Sequence, residues 1–200
     1  MLMPAGYSLN PPVALRRDAS VAPHFAFVGF IDWAPNRDGM VWFLNNIWPS
    51  IIQRWPDAQL DVIGRNSGAA LTPAPGVRHL GFVEDLASAL SKVDVALVPL
   101  RIGGGMRVKI LDFLSRGLPL ISTTIGAEGI PCNYLGARVY EQAEDAEDFV
   151  AAAERLLHSY ESRMALAATG RRLIKERYNW SALVGSAIDW ISTAHPTHAG

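Results

Sequence analysis

VPLRIGGGMRVKILDFLSRGLPLIST, residues 98–123, is the stretch on which the fold turns. An apolar run ends at Pro99-Leu100, glycines occupy 103, 104 and 105, and a helical pattern follows from about Met106 to Arg116. Gly117 and Pro119 stop that helix, and a second apolar run, LPLIST, fills 118–123. Strand, loop, helix and strand make one unit of a parallel α/β sheet. Glycines let the backbone bend and a ligand approach closely, while the free amides and positive pole of a helix start favour an anion. Arg107 and Lys109 fall in the first helical turn, where positive charge opposes the helix dipole. That misplacement points to a bound anion, a phosphate, that offsets them. The plain alternative is a glycine-rich loop carrying two solvated cations.

The loop is neither of the two common nucleotide motifs. No Gly-Lys-Ser/Thr follows, and no glycine stands three residues beyond Gly105. Asp112 lies at i+5 from Arg107 and i+3 from Lys109. It can either pair with Lys109 or accept the sugar hydroxyls of a nucleotide.

Outward from this segment, short apolar runs alternate with amphipathic stretches. FAFVGF (25–30), LDVIG (60–64), VRHLGF (77–82) and VDVALVPL (93–100) read as strands, several of them apolar enough for burial on both faces. A helix is expected from Pro35-Asn36, with Asn36 as cap, Asp38 in its first turn and Pro49 kinking or splitting it. Another spans 85–92, capped by Asp85. Beyond Tyr140 the pattern reads as helix only, at 146–158, 161–177 and 180–193. The sum is a doubly wound, Rossmann-like α/β domain with a parallel sheet, helices on both faces and a helical carboxyl-terminal tail. Residues 1–23, with four prolines, read as a linker or disordered segment, 24–193 as the domain, and 194–200 as a disordered tail.

Half of the 200 residues are apolar and 18% are charged, so a buried core is expected and a disordered tail protein is excluded. The net charge of -1 provides no drive toward nucleic acid or an anionic membrane. The single cysteine, Cys132, excludes an intrachain disulfide and suits a reducing cytoplasm. No run approaches the about 18 apolar residues of a spanning helix. No metal site is expected: there is no Asp-x-Asp, the acidic run 141–148 reads as a helix start, and His195 and His198 stand in the terminal tail.

The run GGGMRVKILDFLSRGLPLISTTIGAEGI resembles the donor-site segment of the family 4 (group 1) glycosyltransferases of GT-B fold. FVGFIDWAPNRDGMVWFLNNIWPSI at 27–51, LDVIG, VRHLGFVEDL, VDVALVPLRIGGG and GRRLIKERYNW at 170–180 match in the same order. The resemblance spans about residues 25–193 and covers only the carboxyl-terminal, donor-binding half of such an enzyme. It implies a retaining, metal-independent transfer of a sugar from a nucleoside diphosphate sugar, with no further cofactor, in cytoplasmic polysaccharide synthesis. The acceptor could be sugar, lipid or protein. An amino-terminal acceptor domain, through which the enzyme could sit at a membrane, is the implied partner, and without it this chain would be inactive. The alternative is a non-catalytic nucleotide-sugar binding module.

The resemblance also assigns roles. Arg107 and Lys109, with Gly103 and the amides of Gly104 and Gly105, would hold the diphosphate and offset the charge of the leaving group; Arg101 is a weaker candidate. Asp112 stands where the family has a ribose-binding Glu, one methylene longer. The first Glu of the family's E-x7-E pattern would fall on Gly104, so that side-chain contact to the transferred sugar is missing, and Met106 replaces a usual Thr. Phe82 and Val83 would frame the base, and Gly126, Glu128 and Gly129 would shape the donor pocket. Trp180 and Trp190 belong to a last helix that would cross toward the acceptor domain.

Overall fold

The computed structural model describes residues 5–65, 71–185 and 188. Five strands, β1 (His24–Val28), β2 (Gln59–Ile63), β3 (Val77–Gly81), β4 (Val95–Val98) and β5 (Leu120–Ser122), form a parallel sheet. A sixth, β8 (Glu141–Gln142), extends it, giving the order β3-β2-β1-β4-β5-β8. Strands β1, β2, β4 and β5 carry nearly continuous Val, Leu, Ile, Phe and Ala and are buried on both faces; β3 is the exposed edge. The order reverses between β1 and β4, where Ala26 stands beside Ala96, and ligands of doubly wound sheets sit at the carboxyl ends of strands at such a reversal.

Helix α1 (Ala34–Asn46) ends just before α2 (Trp48–Arg54), so Pro49 splits the predicted helix and stands in the first turn of the second, where its missing N–H costs nothing. The cap of α1 is Trp33, not Asn36, whose side chain is engaged elsewhere. Asp85 caps α3 (Leu86–Leu90) by accepting from the Ser88 amide. Helix α4 (Val108–Ser115) opens one residue after Arg107. Gly117 ends it with a φ of +64°, open only to glycine at low cost.

The region beyond Tyr140 is not purely helical. Strand β8 precedes α5 (Ala146–His158) and α6 (Tyr160–Leu173), which continues as a π-helical turn over Ile174–Tyr178. A two-residue strand beginning with Glu141 has no apolar signature; its carboxylate is buried because Arg138 and Arg155 donate to it at 2.6 and 2.7 Å. The hairpin β6 (Asn133–Tyr134) and β7 (Ala137–Arg138) also went unread, being equally short. Residues 180–185 are helical, whereas most of 186–193, Trp190, His195, His198 and the tail 194–200 lie outside the described residues.

The core packs Phe25, Phe27, Phe43, Trp48, Phe113 and Phe149 between sheet and helices, with edge-to-face pairs such as Phe25 with Trp48. Residues 5–23 hold no helix or strand, yet they are docked along the domain. Val13 bonds Arg116 through its amide at 2.9 Å, Arg16 pairs with the buried Asp94, and Ala19 is fully buried.

Candidate functional site

The loops that leave the carboxyl ends of β1, β4 and β5 meet at the sheet reversal, and glycine makes their approach possible. A Cβ on Gly39 would stand 2.5 Å from the Pro99 carbonyl oxygen, one on Gly64 would run into the Gly29 carbonyl, and one on Gly29 would meet the Lys109 Nζ at 2.7 Å. Gly103 and Gly105 have φ of +99° and +84°, which turns the chain from β4 into α4.

Arg107 is the residue before the first turn of α4 and is only 6% exposed. Its Nη1 donates to the Gly104 carbonyl at 2.7 Å, closing the glycine loop, and its guanidinium lies 5.4 Å from the centre of the Trp33 ring. Its Nε and Nη2 are buried without a partner. Buried donors of a cation left unpaired are costly, and among the described residues the buried Arg163 Nε shares that condition.

Lys109 is buried beside it. The Nζ donates to Asn36 Oδ1 at 2.8 Å and sits 4.2 Å from the centre of the Phe27 ring, while Asn36 Nδ2 donates to the Phe30 carbonyl at 2.8 Å. Burial, and then the positive charge of Arg107, pulls the ammonium pKa down to about 7. Two cations with no carboxylate between them thus share one end of the sheet. Asn36, read from sequence as a cap, orients the lysine instead; nothing in a single Asn after Pro35 signals that.

The remaining candidates separate. Phe82 is 66% exposed and stacks under Arg65, 5.6 Å from guanidinium carbon to ring centre. With Phe30 these side chains line a cavity of about 320 Å³ beyond β1–β3, while Val83 packs against the core. Arg101 is held by Asp38 in a two-pronged pair at 2.8 and 3.1 Å and stacks on Trp42. Asp112 does not pair with Lys109. Its Oδ1 accepts from Tyr7 Oη at 2.5 Å and Asn10 Nδ2 at 2.9 Å and its Oδ2 from Arg116 Nε at 2.9 Å, so Arg116, not Lys109, is its ion-pair partner.

The loop after β5 closes the other side. Gly126 turns tightly against Thr123, donating to its Oγ1 at 2.9 Å, and Gly129 packs on Met106 while its carbonyl accepts from Tyr178 Oη at 2.8 Å. Between them Glu128 is exposed. Trp180 is 56% exposed although part of its indole covers Gly6. A larger cavity of about 610 Å³, lined by Tyr134, Leu135, Tyr178 and Leu183, lies between the hairpin and the carboxyl-terminal helices, away from the strand ends.

A parallel sheet of order 3-2-1-4-5 with helices packed on it and a glycine loop at its reversal is a Rossmann-like domain of the kind found in GT-B glycosyltransferases. The sequence model of the family described as Glycosyl transferases group 1 matches residues 22–159, and the chain belongs to that family. Among solved structures it is similar in fold to sucrose-phosphate synthase from Thermosynechococcus elongatus, 20% identical with a TM-score of 0.71 over 98% of this chain and 53% of that one. It is similar as well to HepE of Anabaena in complex with UDP and glucose, at 9% identity, a TM-score of 0.66 and 88% of this chain against 49% of that one. The apo lipopolysaccharide outer core galactosyltransferase WaaB aligns at 14% identity and a TM-score of 0.67, over 94% of this chain and 54% of that one. An uncharacterized 44.6 kDa protein of the cps region of Klebsiella pneumoniae is 25% identical over 54% of this chain and 31% of its own length. The chain therefore spans about half the length of the structures it matches and about a third of that relative. No helix among the described residues is long and apolar enough to cross a membrane.

Proposed function

We propose that this chain is the donor-binding domain of a retaining glycosyltransferase, seating a nucleoside diphosphate sugar at the β1–β4 reversal. The observation that carries the reading is the Arg107 guanidinium, buried with two unpartnered nitrogens beside the buried Lys109. A diphosphate would supply acceptors for both, and the amides of Gly104 and Gly105 would add donors. As the glycosidic bond breaks, negative charge builds on the leaving nucleoside diphosphate; two fixed cations stabilise it in place, the work a divalent ion does elsewhere. UDP with glucose in a structural neighbour supports a nucleotide sugar as the donor class. Phe82, Phe30 and Arg65 offer a flat, partly apolar wall suited to a nucleobase, next to Val83. Asp112 would take a ribose hydroxyl on its Oδ2, which among the described residues accepts only from Arg116. An amino-terminal domain carrying the acceptor would complete the enzyme, working in polysaccharide synthesis on the cytoplasmic side.

Calorimetric titration with UDP, GDP and ADP, and with their monophosphates and nucleosides, tests this. One diphosphate should bind more tightly than its monophosphate, and Arg107→Ala with Lys109→Ala should weaken the diphosphate by 100-fold or more, roughly two charge-assisted bonds, while leaving the nucleoside unchanged. Equal losses for diphosphate and nucleoside would overturn the phosphate role.

A further inference from the structure

We infer that Glu128 is the residue that recognises the sugar of the donor, a specificity determinant resting on the donor-site reading above. Its Oε2 lies 3.9 Å from where a Cβ on Gly104 would stand, so the carboxylate hangs over the loop that Arg107 ties shut. The side-chain position that glycine leaves vacant at 104 is thereby faced by an acid from another strand end.

Two facts separate this from an idle surface charge. The turn that presents Glu128 is anchored on both sides: Ala127 and Ile130 are buried, Gly126 is locked onto Thr123, and Gly129 is fixed between Met106 and Tyr178. And although Glu128 and Arg107 both border Gly104, they form no ion pair; the Glu128 side chain has no partner among the described residues, and the Arg107 Nε and Nη2 stay unpartnered. A carboxylate placed to neutralise that cation would bond it. Held apart, the cations remain available for phosphate oxygens and the acid for groups that donate. The outer phosphate of a nucleotide sugar is joined through the anomeric oxygen to the sugar ring, whose hydroxyls are donors, and a carboxylate offers them four acceptor positions. A bare diphosphate gains nothing from Glu128 and is repelled by it.

Three proteins would be titrated: the unsubstituted chain, Glu128→Gln and Glu128→Ala. Each would meet UDP, GDP and ADP, then the glucose, galactose and N-acetylglucosamine conjugates of whichever diphosphate binds. Glu128→Ala should bind the bare diphosphate as tightly as the unsubstituted chain or more so, and the best sugar conjugate about ten-fold less tightly or worse, with Glu128→Gln between the two. The retained diphosphate affinity would also show that the variants fold. A loss of the same factor for diphosphate and conjugate, or no change in either, would overturn the role of Glu128 and leave the donor site standing. Absence of diphosphate binding by the unsubstituted chain would overturn the donor site itself, and this inference with it.

Discussion

Lys109 sits where its charge is least solvated, and its titration follows from that position. Arg107 borders it, Asn36 and Phe27 are its direct contacts, and no carboxylate bonds its ammonium among the described residues. Its folded pKa of about 7 lies below the ordinary 10.5, so folding favours the neutral amine. The stability this contributes is fully present above pH 10.5 and is lost as pH falls through about 7. Urea unfolding of the free protein should therefore show stability rising between pH 7 and 10, a slope that Lys109→Met removes. Diphosphate binding has the opposite sign, because the anion selects the ammonium. Affinity should fall as pH rises from 7.5 to 9.5, with proton uptake measurable by calorimetry in buffers of different ionisation enthalpy. The misplaced pair Arg107 and Lys109 was visible in the sequence, since two cations at a helix start defy the dipole. The sequence could not show that one is stacked on Trp33 and the other buried against Phe27, nor that the Asp112 carboxylate is already held by Tyr7 and Asn10, more than a hundred positions away.

At the level of elements, the glycines that keep α1 and the strand ends together carry as much weight as the cations. Gly39 lies inside α1, where alanine is ordinarily the better residue by about 0.5–1 kcal/mol. Its missing Cβ instead admits the Pro99 carbonyl, a backbone atom that cannot swing aside. Gly39→Ala is expected to cost about 1–3 kcal/mol in urea unfolding and to weaken diphosphate binding by displacing Pro99 and Leu100. Gly185→Ala, in a helical turn with nothing within 4 Å of the added Cβ, should be neutral or stabilising. Equal costs for the two would remove the packing explanation. Long, strongly patterned elements were readable: α5 falls on 146–158 as expected, and Asp85 caps α3. The two-residue strands β6, β7 and β8 were not, because two residues carry no period and Glu141 is buried only by virtue of Arg138 and Arg155.

Across the whole molecule, the chain before β1 is fastened to the helices beyond β8 by Arg163. This side chain is fully buried and ion-paired to no carboxylate among the described residues. It donates instead to the carbonyls of Leu156 and Leu157 at the end of α5 and to those of Arg16 at 2.6 Å and Arg17 at 3.1 Å. Those four acceptors have one donor in common, so Arg163→Leu should destabilise the protein by about 3 kcal/mol through the carbonyls left behind. Hydrogen exchange should show the amides of residues 13–20 opening before the sheet does. Unchanged protection there would rule out the fastening. The order of short apolar runs and the glycine punctuation dictate a parallel doubly wound sheet, and the cations at a helix start mark the loop where we propose an anion, because burial on two faces and the helix dipole act on neighbours in sequence. Which acid borders the glycine loop, which asparagine aims Lys109 and where residues 5–23 lie depend on side chains from distant segments meeting one another, and no local pattern encodes those meetings.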